Sequence, residues 1–223
     1  MDAFSLLRVA AAVAVGFLVG SIPFALVVGK LFWKVDVREH GSGNPGATNT
    51  LRTLGWRAAI PVAALDIAKG SLAVLLAAMI VPKGLEVGPL YHQGAVVLAG
   101  VAAVLGHAFS PFLDFKGGKG IATIAGALAV LTPTLLLIAV GIWLFVVIVT
   151  RYVSLASIVA ALSAPILGWI FRPDNPFLIP LLIVGPALII WLHRANAKRL
   201  LSGTEKQISF GRPASSGGGK ERS

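Results

Sequence analysis

The chain has 223 residues, of which 57% are hydrophobic and only 13% are charged, and its mean hydropathy is +0.87. Soluble domains carry about 25% charged residues, so this composition excludes an ordinary soluble domain and indicates an integral membrane protein. Cysteine is absent, which excludes disulfides, thiol nucleophiles and cysteine-based metal sites. In a membrane chain the net charge of +10 indicates orientation and anionic lipids or substrates, and no nucleic-acid partner is expected.

Seven hydrophobic segments are predicted to cross the membrane as helices, because each is near the roughly 20 residues that span a bilayer core. A 30-residue apolar run at 121–150 is divided at Thr132-Pro133-Thr134, since proline disfavours a helix interior. The first run is too long for the hydrophobic region of a signal peptide. The predicted fold is therefore an all-α polytopic membrane protein with Gly-rich cytoplasmic loops, and its spans are 4–29, 58–81, 94–113, 121–131, 134–150, 153–171 and 177–193.

The distribution of basic residues predicts the orientation of these spans. With seven spans and the N-terminus outside, 15 of the 19 basic residues lie on the cytoplasmic side, where Lys and Arg are expected in excess. Six spans would place the basic C-terminal region opposite the basic loop at 36–57. We predict one membrane domain at 1–210 and a disordered Ser/Gly-rich tail at 211–223.

Two polar features fall inside the predicted spans. Ser21-Ile22-Pro23 interrupts the first span, and it predicts a kink or a cavity-lining serine. Asp66 and Lys69 lie three residues apart on one face of the second span. Ionisable groups at membrane depth are costly, so they either pair with each other or face a cavity.

The loop between the first two spans has three glycines within six residues, at Gly41, Gly43 and Gly46. Glycine lets the backbone approach a ligand, successive amides form an anion site, and hydroxyl and amide side chains add donors. Arginines flank the loop at Arg38 and Arg52, and their forked guanidinium groups match phosphate oxygens. We interpret the loop as a phosphate cradle; the alternative is a tight surface turn.

A second glycine-rich loop, Lys116-Gly117-Gly118-Lys119-Gly120, follows Gly106-His107 and leads into a helix at Ile121. A helix N-terminus attracts anions through its unpaired amides and its dipole. The sequence does not fit the Walker A pattern. The alternative is a turn whose lysines only set membrane topology.

Two further polar groups lie at predicted helix ends. Ser154 begins the sixth span, where it is suited to an N-cap. His193 and Asn196 lie on one helical face after the seventh span, beside Arg194, Lys198 and Arg199. A pair of this kind could hold substrate hydroxyls.

Several chemistries are missing from the sequence. There is no G-x-S-x-G elbow, no H-E-x-x-H motif and no carboxylate cluster for magnesium, and His107 and Asp114 are seven residues apart rather than the five of an H-x₄-D pair. No cofactor or metal is expected. The remaining groups suit a phosphate-bearing substrate that needs no strong protein base. The runner-up is an organic-phosphate transporter, for which no inverted repeat is evident.

Three long motifs, at 41–52, 106–123 and 193–206, occur in an order that resembles the bacterial acyl-phosphate–glycerol-3-phosphate acyltransferases of the PlsY type. They read G-S-G-N-P-G-A-T-N-T-L-R, G-H-x-F…F-K-G-G-K-G-I-A-T and H-x-x-N-x-x-R-L-x-x-G-x-E-K. The D-x-x-K-G at 66–70 is similar too, and the resemblance covers about 16–206.

The resemblance implies an enzyme of the bacterial inner membrane with a cytoplasmic active site. It implies transfer of an acyl group from acyl phosphate to the sn-1 hydroxyl of glycerol 3-phosphate, without acyl-CoA. A soluble enzyme that forms acyl phosphate would supply the donor, and membrane lipid would surround the protein. The catalytic residues that it implies are Ser42, Arg52, Lys119, His193 and Asn196. Further substrate contacts are expected from Arg38, Gly43, Asn44, Gly46, Ala47, Thr48, Asn49, Lys116, Gly117, Gly118 and Ser154.

Overall fold

The computed structural model describes residues 3–84, 88–171 and 174–208, and every regular element in these ranges is helical. The predicted tail at 211–223 lies outside the described residues. The α-helices are α1 (Ala3–Ser21), α2 (Phe24–Val28), α3 (Ala47–Leu54), α4 (Trp56–Ile80), α5 (Pro89–Ala108), α6 (Ile121–Leu131), α7 (Pro133–Thr150), α8 (Val153–Phe171), α9 (Leu178–Leu192) and α10 (Arg194–Leu201).

Within the described residues, five helices are long and apolar enough to cross a membrane, and α9 with α10 makes a sixth if the pair, bent by 65°, is one span. The segment predicted as a separate span at 121–131 is the 11-residue helix α6. At about 1.5 Å per residue this helix is roughly half the thickness of a bilayer core. The all-α membrane fold is confirmed, while the count of seven spans stays a prediction.

Prolines mark three helix boundaries, of which two were predicted from the sequence. The first span breaks at Ile22-Pro23, as expected, and continues through α2 into a π-helical turn at Gly29–Trp33. Helix α7 begins at Pro133, where the missing proline amide costs no hydrogen bond. Helix α5 begins at Pro89, five residues before the predicted span, for the same reason.

Small residues let two helix pairs pack closely. Gly16 and Gly20 of α1 lie against the backbone of Ala99 and Ala103 in α5, where a β-carbon on either glycine would overlap that backbone. Gly70 of α4 and Gly126 of α6 are in the same situation against each other's helices. Close backbone approach is a common basis of helix packing in membranes. These contacts join α1, α4, α5 and α6 into one half of the bundle, while α7, α8 and α9 form the other.

Candidate active site

A cavity of about 440 Å³ lies between the two halves of the bundle, at the end where the two glycine-rich loops meet α10. The end of the cavity near the loops is lined by polar groups from α3, α10 and the loops themselves. Its walls continue as an apolar channel between the helices that follow the second loop, where the side chains include Leu128, Leu136, Val140, Ala164, Leu182 and Ile189. The space therefore suits a ligand with an anionic head and an aliphatic tail.

Asn49 holds the first loop in shape. Its side chain is only 2% exposed, and its Oδ1 accepts hydrogen bonds from the amide of Ser42 at 2.7 Å and from the Ser42 hydroxyl at 3.1 Å. Its Nδ2 donates to the carbonyl oxygens of Val37 at 2.8 Å and His40 at 3.1 Å. All four hydrogen bonds of the Asn49 side chain are made within the loop, so Asn49 fixes the conformation of the loop.

The cavity-facing part of the first loop is the N-terminus of α3. The amides of Gly43, Gly46 and Asn49 donate to backbone carbonyls within the loop. Ala47 and Thr48 occupy the first turn of α3, where amides have no intrahelical acceptor, and both line the cavity. Ser42, Asn44 and Gly46 line it as well. The amides of this loop that are free to meet an anion are thus those of the first helical turn.

Arg52 lies one and a half turns further along α3 and points into the same cavity. Its Nη2 donates to the carbonyl oxygen of Lys206 at 2.8 Å, while its Nε is buried and has no hydrogen-bond partner among the described residues. Burial lowers the pKa of Arg52, but an arginine keeps its charge at any physiological pH. A buried charged donor without a partner is costly, and a phosphate oxygen would satisfy it.

The second loop uses its glycines differently. The amides of Gly117 and Gly118 donate to the carbonyl oxygens of Ala108 and His107, both at 3.0 Å, so these amides secure the loop to the C-terminus of α5. Neither glycine lines the cavity, and Lys116 is exposed to solvent. From this loop the predicted residue that lines the cavity is Lys119.

Lys119 reaches across the cavity to α10, where its Nζ donates to the Oδ1 of Asn196. Burial lowers the pKa of Lys119 to about 8, and the nearby carboxylate of Glu205 partly opposes this effect. Arg199 and Arg52 lower the pKa further. The ammonium group is therefore a partly buried cation with one hydrogen-bond partner among the described residues, in a position to bind an anion.

Glu205 is the acceptor at the centre of the polar network; the sequence analysis included it in the motif at 193–206 but assigned it no role. Its Oε1 accepts hydrogen bonds from Ser154 at 2.8 Å and Asn196 at 2.7 Å, and its Oε2 pairs with Arg199 at 2.6 Å. Burial would raise the pKa of Glu205, but these three hydrogen bonds outweigh it and the pKa is lowered. Glu205 is the lone acid in the basic run at 194–206, and that isolation was the available signal.

His193 lies between α9 and α10 with its ring buried and lining the cavity. Its Nδ1 is 2.8 Å from the carbonyl oxygen of Ile189. Because a carbonyl can only accept a hydrogen bond, Nδ1 carries the proton and Nε2 is the acceptor of the neutral ring. His193 can therefore accept a hydrogen bond from a substrate hydroxyl.

Two predicted substrate contacts from the first loop lie outside the cavity lining. Arg38 is exposed and forms a bidentate pair with Asp36, with distances of 3.0 Å from Nε and 2.7 Å from Nη2. This hydrogen-bonded guanidinium holds the pKa of Asp36 well below its usual range. Gly43 is exposed and has φ = 70°, which fits a tight turn.

An ionic cluster lies beside the cavity at membrane depth. The Nζ of Lys69 is 2.7 Å from the Oδ1 of Asp66, and it also donates to the carbonyl oxygen of Ile22 at 2.9 Å, next to the break in the first span. The Nδ1 of His107 is 3.7 Å from the same Asp66 oxygen. Asp66 and Lys69 thus pair with each other, and Asp66 and His107 also line the cavity.

Comparison with known proteins identifies a consistent set of relatives. The family described as glycerol-3-phosphate acyltransferase matches residues 10–203. Glycerol-3-phosphate acyltransferase 2 of Moorella thermoacetica is 47% identical over 197 residues, which cover 88% of this chain and 96% of the relative. Crystal structures of PlsY, an integral membrane glycerol 3-phosphate acyltransferase, are similar in the glycerol 3-phosphate form (TM-score 0.78, 39% identity, 90% of this chain and 96% of that one) and in the lysophosphatidic acid form (TM-score 0.76, 37% identity, 90% and 95%).

Proposed function

The chain belongs to the glycerol-3-phosphate acyltransferase family, and we propose that it transfers a fatty acyl group from acyl phosphate to the sn-1 hydroxyl of glycerol 3-phosphate. The products are lysophosphatidic acid and inorganic phosphate. Acylation of glycerol 3-phosphate follows from the family, whereas the donor, the position of attack and the mechanism are our proposals.

One observation carries the choice of donor: the cavity joins two separate phosphate-binding groups to one apolar channel. The first group is Arg52 with the amides of Ala47 and Thr48, and the second is Lys119. A reaction between glycerol 3-phosphate and acyl phosphate brings two phosphates and one aliphatic chain together. An acyl thioester would bring a single phosphate to the reacting centre.

The acids near the cavity do not oppose anionic substrates. Glu205 accepts three hydrogen bonds, one of them from Arg199, and Asp66 pairs with Lys69 and His107. Their charges are therefore offset within the protein. The cations Arg52 and Lys119 retain capacity for phosphate oxygens.

The mechanism that we propose is direct attack. The sn-1 oxygen attacks the acyl carbonyl carbon, the bond from that carbon to the phosphate oxygen breaks, and phosphate leaves with the electron pair. The hydroxyl proton passes to a substrate phosphate oxygen. The Nε2 of His193 accepts a hydrogen bond from the other hydroxyl of glycerol 3-phosphate, so the sn-1 proton stays free to pass to phosphate. Lys119 and Arg52 offset the charge on the phosphates and on the carbonyl oxygen as it develops.

This scheme needs no activated protein nucleophile, because acyl phosphate is a mixed anhydride with a good leaving group. Orientation of two bound reactants can lower a barrier by roughly 7–11 kcal/mol. Asn196 contributes by position: its Oδ1 accepts from Lys119 and its Nδ2 donates to Glu205. Both ends of this amide are engaged in the network, so it fixes the lysine.

The rival mechanism forms an acyl-enzyme at Ser42. The Ser42 hydroxyl donates to the side-chain oxygen of Asn49 at 3.1 Å, and an amide oxygen is a poor proton acceptor. This partner favours direct attack. Mass spectrometry after quenching would reveal an acylated Ser42 if the covalent route operated, and such an adduct would contradict our mechanism.

We also propose that the protein lies in the bacterial inner membrane and that the basic end of the bundle faces the cytoplasm. There, a soluble enzyme would deliver acyl phosphate to the cavity. The excess of basic residues at this end supports that orientation. Accessibility labelling of single cysteines, at positions 116 and 83 in this cysteine-free chain, would report the two faces independently.

The experiment that tests the activity is acyl transfer by the purified protein with radiolabelled glycerol 3-phosphate. Palmitoyl phosphate is supplied in one reaction and palmitoyl-CoA in a parallel one, without added metal. We expect lysophosphatidic acid from palmitoyl phosphate only. Product from the thioester only would overturn the two-phosphate interpretation of the cavity, and product from neither, in folded protein, would overturn the proposed reaction.

A further inference from the structure

The position of Lys119 is set by contacts with α5 on both sides of it in the sequence. Gly118 packs against His107, and a β-carbon at 118 would overlap the Nε2 of that ring. Gly120 packs against Val104, and its β-carbon would lie 2.7 Å from the Cγ1 of that valine. Lys119 is the single residue between these two contacts, so α5 determines where its backbone lies.

The two glycines are required for different reasons. Gly120 has φ = 76°, a conformation that disfavours any residue with a β-carbon. Gly118 does not have a positive φ, so its own backbone would accept alanine. What excludes a side chain at 118 is the imidazole of His107.

The His107 ring is itself held from the other side. Its Nδ1 faces Asp66 at 3.7 Å, and Asp66 is anchored by Lys69, which also binds the carbonyl oxygen of Ile22 at 2.9 Å. A series of polar contacts therefore runs from the break in the first span, across α4, to the side of His107 opposite Gly118. The three ionisable side chains are at most 8% exposed, so solvent does not weaken these contacts.

We propose that His107, oriented by Asp66, is a positioning residue whose imidazole seats Gly118 and thereby places the Lys119 ammonium in the cavity. This inference rests on the proposed role of Lys119. It gives the buried Asp66–Lys69–His107 cluster a purpose beyond charge pairing: the cluster fixes the loop that carries the cation. A shift of about 1 Å in a catalytic group can cost about 100-fold in rate.

A double-mutant cycle between residues 107 and 118 tests the contact in the full-length protein. The methyl group of Gly118→Ala collides with the imidazole, whereas His107→Ala removes the imidazole and leaves room for that methyl. We expect Gly118→Ala to lower kcat about 100-fold in the parent protein and less than about threefold in the His107→Ala background. If the losses in kcat caused by Gly118→Ala and His107→Ala multiply in the double variant, the imidazole does not hold the loop in place and the proposal is wrong.

Two readouts separate positioning from a general loss of structure. Positioning predicts that kcat falls while KM changes less than about threefold for the substrate whose phosphate the amides of α3 bind, because that part of the cavity is untouched. Thermal unfolding in detergent checks that each variant is folded. Gly141→Ala is the matched control, since a β-carbon there meets nothing within 4 Å, and we expect parent-like kcat.

If His107→Ala does not fold, Gly118→Ala still tests the proposal. A folded Gly118→Ala protein with parent-like kcat would show that the contact between the His107 imidazole and Gly118 does not position Lys119. Lys119→Ala distinguishes the two proposals. Activity retained in Lys119→Ala would overturn the role of the lysine and, with it, this inference. If Lys119→Ala is inactive but the losses from Gly118→Ala and His107→Ala multiply in the double variant, the role of Lys119 stands and only the positioning role of His107 is overturned.

Discussion

The two glycine-rich loops have similar compositions and both lead into a helix, but they contribute different groups to the cavity. The first offers the amides at the start of α3, and Asn49 holds its shape from inside. The second uses the amides of Gly117 and Gly118 to fasten itself to α5, and it contributes the Lys119 side chain. Glycines thus form the turn that leads into the cavity-lining first turn of α3 in one loop, and they allow close packing against α5 in the other.

Of the changes that test this difference between the loops, removal of the Lys119 side chain should cause the largest loss of activity. We expect Lys119→Ala to lower kcat about 100- to 1000-fold, the loss typical when one donor to a developing oxyanion is removed. Steady-state kinetics with palmitoyl phosphate would measure it. Lys116→Ala in the same loop is the matched control, because Lys116 is exposed and lies outside the cavity lining. Near-normal turnover in Lys119→Ala would contradict the assignment.

The backbone N–H of Ala47 can be eliminated by proline without disrupting α3, since proline is favoured at the first position of a helix. We expect Ala47→Pro to raise KM about 10- to 100-fold for whichever substrate, glycerol 3-phosphate or acyl phosphate, has the phosphate that accepts this hydrogen bond. Ala47→Ser keeps the amide and should behave like the parent. An unchanged KM in Ala47→Pro would show that the cradle does not use this donor.

The pH dependence of the reaction should reveal the partly buried ammonium. The pKa of Lys119 is lowered to about 8, so the lysine is charged below that pH and loses its proton above it. We expect kcat/KM to fall about tenfold per pH unit above pH 8, because kcat/KM reports the ionisation of the free enzyme. In Lys119→Arg the guanidinium stays charged, so any remaining activity should lack this decline. The same decline in Lys119→Arg would mean that another group is titrating.

The smallest effect is expected at Arg38, which the sequence analysis named as a substrate contact at the other end of the loop from Arg52. Its guanidinium is exposed and already paired with Asp36, and exposed ion pairs contribute about 0–1 kcal/mol. Arg38→Ala should therefore change kcat and KM by less than about twofold. A loss of more than tenfold in kcat/KM would return Arg38 to the set of substrate contacts.

The sequence alone determined the membrane class, the helical fold and the segments that form helices, because apolar length and proline position are local properties. It also identified most of the polar residues that line the cavity. Residue type and loop composition did not separate Arg52 from Arg38 or Lys119 from Lys116, although the family resemblance implied a catalytic role for Arg52 and Lys119. That difference depends on which way each side chain points once the helices have packed.

Only the tertiary structure revealed the role of Glu205 and the contact between His107 and Gly118. Glu205 meets Ser154 across 51 residues of chain, and its three donors come from two separate segments. His107 belongs to α5, yet its ring defines the space available to the loop that follows. Contacts of this kind depend on distances between helices, which no local pattern of residues encodes. The sequence therefore determined which groups exist, and the packing of the helices decided which of them meet.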